Sequence, residues 1–207
     1  MALVYDEKGD LDHAQFIVDL LRHLTRLASI SIQKGDFSRA EEQLLDAMPL
    51  ADSIQNFDQL VQIKRMLANV NSNDTDKAQK QYIELVDLME SNPEANQKLL
   101  ANVYMNFGEF YFNIQEFGKS KVYFNKCAAL CQKLKFNFGV YVSRVKLGYI
   151  LFKEGKLDSA LVVDADALAF FREKNIPVKQ AEALLNMALV YDEKGDLDHA
   201  QFIVDLL

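Results

Sequence analysis

Glu154-Gly155-Lys156-Leu157-Asp158-Ser159-Ala160 returns forty residues later as Lys194-Gly195-Asp196-Leu197-Asp198-His199-Ala200. Related segments stand at Lys34-Gly35-Asp36-Phe37-Ser38-Arg39-Ala40 and Gln115-Glu116-Phe117-Gly118-Lys119-Ser120. Each joins two stretches whose apolar residues recur every three or four positions, the period of an amphipathic helix. Glycine accepts the left-handed conformation that ends a helix, so each segment reads as the turn of a helical hairpin. Upstream of the turns, Ala28, Ala68, Gly108, Gly148 and Ala188 follow one another at intervals of 40 residues. Downstream, Ala40, Ala78, Ser120, Ala160 and Ala200 supply the matching small residue, with the Asn73-Asp74-Thr75-Asp76 turn two residues shorter. A lone hairpin cannot bury its apolar face, so hairpins stack, and a small residue at each crossing lets the helices approach. The sequence therefore predicts an all-α stack of antiparallel helical hairpins, with repeats at about 22–60, 61–100, 101–140, 141–180 and 181–207. Pro93 and Pro177 fall near expected starts of first helices, where a missing N–H costs little.

Tyr104, Phe107, Gly108, Tyr111, Ser120 and Phe124 resemble, offset for offset, the tetratricopeptide pattern of an aromatic, Leu-Gly, Tyr, Ala and Phe. Leu184, Met187, Ala188, Tyr191, Gly195 and Ala200 form a second match. The usual repeat is about 34 residues long. The 40-residue period here is similar to the longer-helix variant of Pins-type polarity adaptors and bacterial peptide-sensing regulators. Asn71 and Ser31 depart from the pattern where it has Tyr. The resemblance spans almost the whole chain and implies a right-handed superhelical α-solenoid. It also implies a scaffold or peptide-receptor role, between which fold alone does not choose.

In such a solenoid the first helix of each repeat lines a concave surface. Counted from the small residue, the expected groove positions are Arg22, Arg26 and Ser29, then Gln62, Arg65 and Asn69, then Asn102, Asn106 and Glu109. Lys146 and Tyr149 follow, and then Glu182, Asn186 and Leu189. Of these, Arg22, Arg26, Arg65, Asn69, Asn102, Asn106, Lys146, Tyr149 and Asn186 are the partner-binding candidates. Asn amides would grip a peptide backbone and Arg forks its carboxylates, so the expected ligand is a peptide or protein segment, acidic in character. The plainer reading is that these are ordinary solvated residues. The Lys, Asn, Asn, Lys, Arg clamp of the family's co-chaperones is not reproduced, which disfavours chaperone C-termini as ligands.

Residues 1–21 are identical to residues 187–207, a degree of likeness no other pair of repeats approaches, which points to engineering or a very recent duplication. Ala2 and Ala28 are 26 residues apart rather than 40, so 14 residues that should turn the chain back are absent at the Leu21–Arg22 junction. Fourteen residues is close to four helical turns, so helical phase survives the junction. Leu11 to Gln33 holds no Gly or Pro, and one continuous helix, on the order of 35 Å, is expected there. Its leading half would project Phe16, Ile17, Leu20 and Leu21, and the terminal hairpin would offer Phe202 and Leu206 to match. Homo-oligomers joined through these ends are therefore expected, as a closed ring or an open filament. On this alternative the chain is a self-assembling module, engineered or domain-swapped; the bland counterpart is a cap without biological meaning.

Other functions are disfavoured. A net charge of −7 opposes binding to nucleic acid phosphates. Uncharged stretches such as Ala183 to Val190 are far too short to span a bilayer, and Asp6, Glu7 and Asp10 occupy the place of a basic signal region. A cytoplasmic protein without membrane attachment is expected. Cys127 and Cys131, four apart on a helix, suit a reduced, packed interior. No phosphate-cradling loop, Cys-x-x-Cys or His-Glu-x-x-His occurs, so no catalytic residue, cofactor or metal is expected. Asp10, Asp12, Asp196 and Asp198 read as helix caps rather than calcium ligands, and a regulator's DNA-binding helix-turn-helix is not encoded. The aromatics Tyr104, Phe107, Phe110, Tyr111, Phe112, Tyr123, Phe124 and Phe136 read as core.

Overall fold

The computed structural model describes residues 2–92 and 94–205, with side chains from residue 12 onward; Pro93 and Leu206 thus lie outside the described residues. Among the described residues there are ten α-helices and no strand: α1 (Ala2–Gln33), α2 (Phe37–Ser53), α3 (Phe57–Val70), α4 (Thr75–Glu90), α5 (Gln97–Asn113), α6 (Phe117–Lys133), α7 (Asn137–Lys153), α8 (Leu157–Glu173), α9 (Pro177–Glu193) and α10 (Leu197–Val204). The chain divides into two compact units, Met1–Val103 and Tyr104–Leu207.

Most helices begin at twenty-residue intervals because the turns do. Gly35, Gly155 and Gly195 have φ near +70°, as do the non-glycine residues Gln55, Gln115, Lys135 and Asn175 at +52° to +62°. Each sits just past a helix end, where the left-handed conformation closes the last turn. The helix that follows is capped where the sequence allows it. Asp36, Asn56, Asp74 and Asp196 accept from the backbone N–H of Arg39, Gln59, Lys77 and His199 at 3.1–3.2 Å. Pro177 occupies the first position of α9.

In the first unit α1 packs on α2, α2 on α3 and α3 on α4. Its core gathers Leu21, Ala28, Ala40, Leu44, Ala47, Ala51, Ile63, Leu67 and Val70. Leu21 is 3% exposed, so it anchors α1 rather than projecting as the sequence suggested. Phe16, by contrast, is 63% exposed, and Ile17 and Leu20 are half-buried.

In the second unit α6, α7, α8, α9 and α10 pack in succession, and α7 also touches α9, so leading helices of successive repeats meet. Gly108 and Gly148 lie buried inside α5 and α7. A methyl at Gly108 would stand 2.8 Å from the Phe124 ring, and one at Gly148 would stand 2.5 Å from Asp164 Cγ. Both glycines are therefore required by the crossing. Phe107 stacks on Tyr111 at a centroid distance of 4.6 Å and packs tilted against Tyr123 at 4.2 Å, and Phe124 is fully buried. Phe136 departs from the expected core: it stands at the N-terminal cap of α7, exposed, its ring 6.1 Å from Phe138. Cys127 and Cys131 are buried with Sγ atoms 3.9 Å apart, and burial pushes the Cys127 thiol up to about 12.

Candidate inner-face binding site

The leading helices α1, α3, α5, α7 and α9 carry the partner-binding candidates, and the structure sorts them unit by unit. On α1, Arg22 is exposed and paired with Asp19 at 2.8 Å, and Arg26 is exposed. On α3, Arg65 is half-buried, and desolvation pushes its guanidinium down. A guanidinium does not give up its proton in a protein, so the penalty is met by anionic or polar contact. Asn69 is exposed and accepts from the Tyr82 hydroxyl. Asn102, in the second turn of α5, is exposed.

The second unit carries a different chemistry. Lys146 of α7 pairs with Glu182 of α9 at 2.5 Å, and Lys179 donates to the other oxygen of Glu182 at 2.6 Å. Burial alone would raise the Glu182 carboxyl, but these bonds outweigh it and hold it below the usual range. Glu109 of α5 feels both lysines, yet burial dominates and raises its carboxyl. The positive charge of Lys146 is thus largely spent within the chain, contrary to the free cation the sequence suggested. Its ammonium also lies 5.6 Å from the Phe112 ring centroid. Tyr149 stands 5.1 Å from the Phe112 ring, and with Phe117 and Lys153 these residues wall an open cleft. Asn106 is half-buried.

Asn186 is corrected more sharply. Expected to face a groove, it is 5% exposed, and its amide donates to Val145 O at 2.9 Å and Asp164 Oδ1 at 3.1 Å. The amide braces three helices from within. Asp164 itself escaped the sequence reading, although a signal exists: it falls forty residues after Phe124, in a column otherwise filled by Leu44 and Tyr82. Among the described residues no group of His, Cys, Asp and Glu is arranged to hold a metal ion, and no helix is long and apolar enough to cross a membrane.

Of the self-association candidates, Phe202 is 62% exposed on α10, at the place that Phe16 holds in the duplicated segment. Ile203, which corresponds to Ile17, is buried among Ala183, Leu184 and Ala188.

Residues 101–134 match the tetratricopeptide repeat family model. Comparison with curated proteins returns no sequence match. Among solved structures the chain is similar to BtubC (BKLC) from P. vanneervenii, with a TM-score of 0.79 and 22% identity over 98% of this chain and 84% of that one. It is also similar to aspartyl phosphate phosphatase F from Bacillus subtilis, with a TM-score of 0.77 and 11% identity over 95% of this chain and 52% of that one. The Rap conjugation gene regulator of plasmid pLS20, solved in complex with the Phr* peptide, gives a TM-score of 0.71 and 13% identity over 97% and 54%. Residues 101–134 thus match a tetratricopeptide repeat, and over nearly its whole length the chain shares the helical fold of these solved structures.

Proposed function

We propose that this chain is a non-catalytic protein-interaction scaffold whose leading helices hold a peptide or a segment of a larger protein. The observation that carries the reading is the display of Arg26 and half-buried Arg65 on the leading helices of the first unit of an otherwise acidic chain. Such guanidiniums suit an extended acidic segment, whose carboxylates they engage in charge-assisted, bidentate fashion. The Phr* peptide held by the Rap regulator, a neighbour in fold, supports the class of ligand.

The test starts from a library of random dodecapeptides selected on the immobilised full chain, followed by fluorescence anisotropy with synthetic versions of the peptides recovered. Selected peptides should be enriched in Asp and Glu, and Arg26→Glu with Arg65→Glu should weaken binding at least about tenfold, since hydrogen bonds to charged groups contribute about 1.5–3 kcal/mol each. Undiminished binding by a folded double variant would defeat the assignment.

A second reading has its own observation. Phe16 and Phe202, equivalent residues of the identical segments, are both more than 60% exposed, which favours self-association through the two copies.

A further inference from the structure

Under each helix crossing lies one side chain of the second helix. Leu44, Tyr82 and Phe124 fill this place in turn, all fully buried, and in the next repeat it is taken by Asp164, equally buried at 0% exposure. The space is made by Gly148, as Gly108 makes it for Phe124. A carboxyl group in a position built for a hydrocarbon carries a large desolvation cost unless it is neutral or paired. Asp164 is not paired with a cation. Its Oδ1 accepts from Asn186 Nδ2 at 3.1 Å, that same nitrogen donates to Val145 O at 2.9 Å, and Oδ2 has no hydrogen-bond partner.

One polar point thus joins three helices: α7 through Val145, α8 through Asp164 and α9 through Asn186. The charged groups around it do not favour an anion. From α9, Glu182 acts on Asp164 as a like charge, with its own carboxylate bonded to Lys146 of α7 and Lys179 of α9. Arg144 of α7 is taken up by Asp166 on the exposed side of α8. Among the described residues no Lys, Arg or His donates to Asp164.

We propose that Asp164 is a proton-gated latch: as a neutral acid it sits in the closed crossing of α7, α8 and α9, and the buried charge left by losing its proton, which the Asn186 amide only partly offsets, loosens that junction. Burial, reinforced by Glu182 and opposed by the Asn186 hydrogen bond, raises the carboxyl to about 7. An unfolded chain releases this proton near the ordinary value of about 3.9. Between these values the folded chain binds the extra proton, so stability falls as pH rises through that window and is level below and above it.

The experiment is urea unfolding of the full chain between pH 4 and 9, with hydrogen exchange of individual amides, for the wild type, Asp164→Asn and Asp164→Leu. Relative to either variant, the wild-type unfolding constant should rise at least about tenfold between pH 5 and pH 8. Exchange corrected for its intrinsic rate should quicken in α8 and α9 over the same range while α3 stays level. Asp164→Leu, which restores the residue type of Leu44, should be the more stable protein at pH 8. A wild-type curve parallel to that of Asp164→Asn would overturn the proposal. If the Asn variant does not fold, parallel wild-type and Asp164→Leu curves would overturn it equally.

Discussion

At the scale of single residues, the glycines of this chain are not interchangeable. Gly108 carries the Phe124 ring against its backbone, whereas Gly118 has open space where a side chain would go. Gly108→Ala should therefore cost about 1–3 kcal/mol, the usual toll of overpacking, while Gly118→Ala in the first turn of α6 should stabilise by up to about 0.5 kcal/mol. Urea midpoints of the two variants against the parent decide this, and equal effects would mean that the crossing gives way. The cysteines make a second case. With the Cys127 thiol pushed up to about 12 by burial, almost none is thiolate at pH 8, and only the thiolate reacts. Iodoacetamide at that pH should leave Cys127 unmodified in the folded chain and label it within minutes in 6 M urea, as followed by mass spectrometry.

At the scale of helices, the same sequence takes two forms. Lys194-Gly195-Asp196 breaks α9 from α10, with Gly195 at φ +75°, but Lys8-Gly9-Asp10 runs inside the continuous α1. Gly9→Ala should then stabilise by about 0.5–1 kcal/mol, since glycine inside a helix is costly, while Gly195→Ala should destabilise by about 1 kcal/mol, since alanine resists the left-handed region. Thermal unfolding of both variants reads the opposite signs; a shared sign would show that the two copies adopt one conformation. The turns explain why so much of the fold was legible. Small residues at forty-residue intervals are visible without coordinates, because crossing geometry dictates them whatever the ligand. Gln55 and Lys135 were not legible as turn residues, since nothing in a Gln or Lys announces a left-handed backbone, whereas Asn175 is of a type that tolerates it. The candidate site was legible only as a list of positions. Lys146 lost its apparent free charge to Glu182, and Asn186 its apparent solvent, because both depend on partners 22 to 41 residues away, a separation at which pairing must be seen rather than counted.

At the scale of the whole molecule, the question is whether a chain with two copies of one segment remains alone. Burial of Leu21 shortens the apolar face of α1 to Phe16 with half-buried Ile17 and Leu20, too small for a permanent interface but enough to seed a weak one. Phe202 repeats the same side chain on α10, beside Val204, itself 49% exposed. If these faces meet between molecules, the average mass from light scattering should climb with concentration from about 10 to 200 μM. Phe16→Asp and Phe202→Asp should each return it to the monomer value without lowering the unfolding midpoint, because both residues are exposed and contribute little to the fold. Because the two faces belong to different segments, each variant alone should suffice, and mixing the two variants should partly restore association through the one intact pair of faces that the mixture still contains. A mass of 23.6 kDa at every concentration would rule out self-association and leave the peptide scaffold as the single reading of the chain.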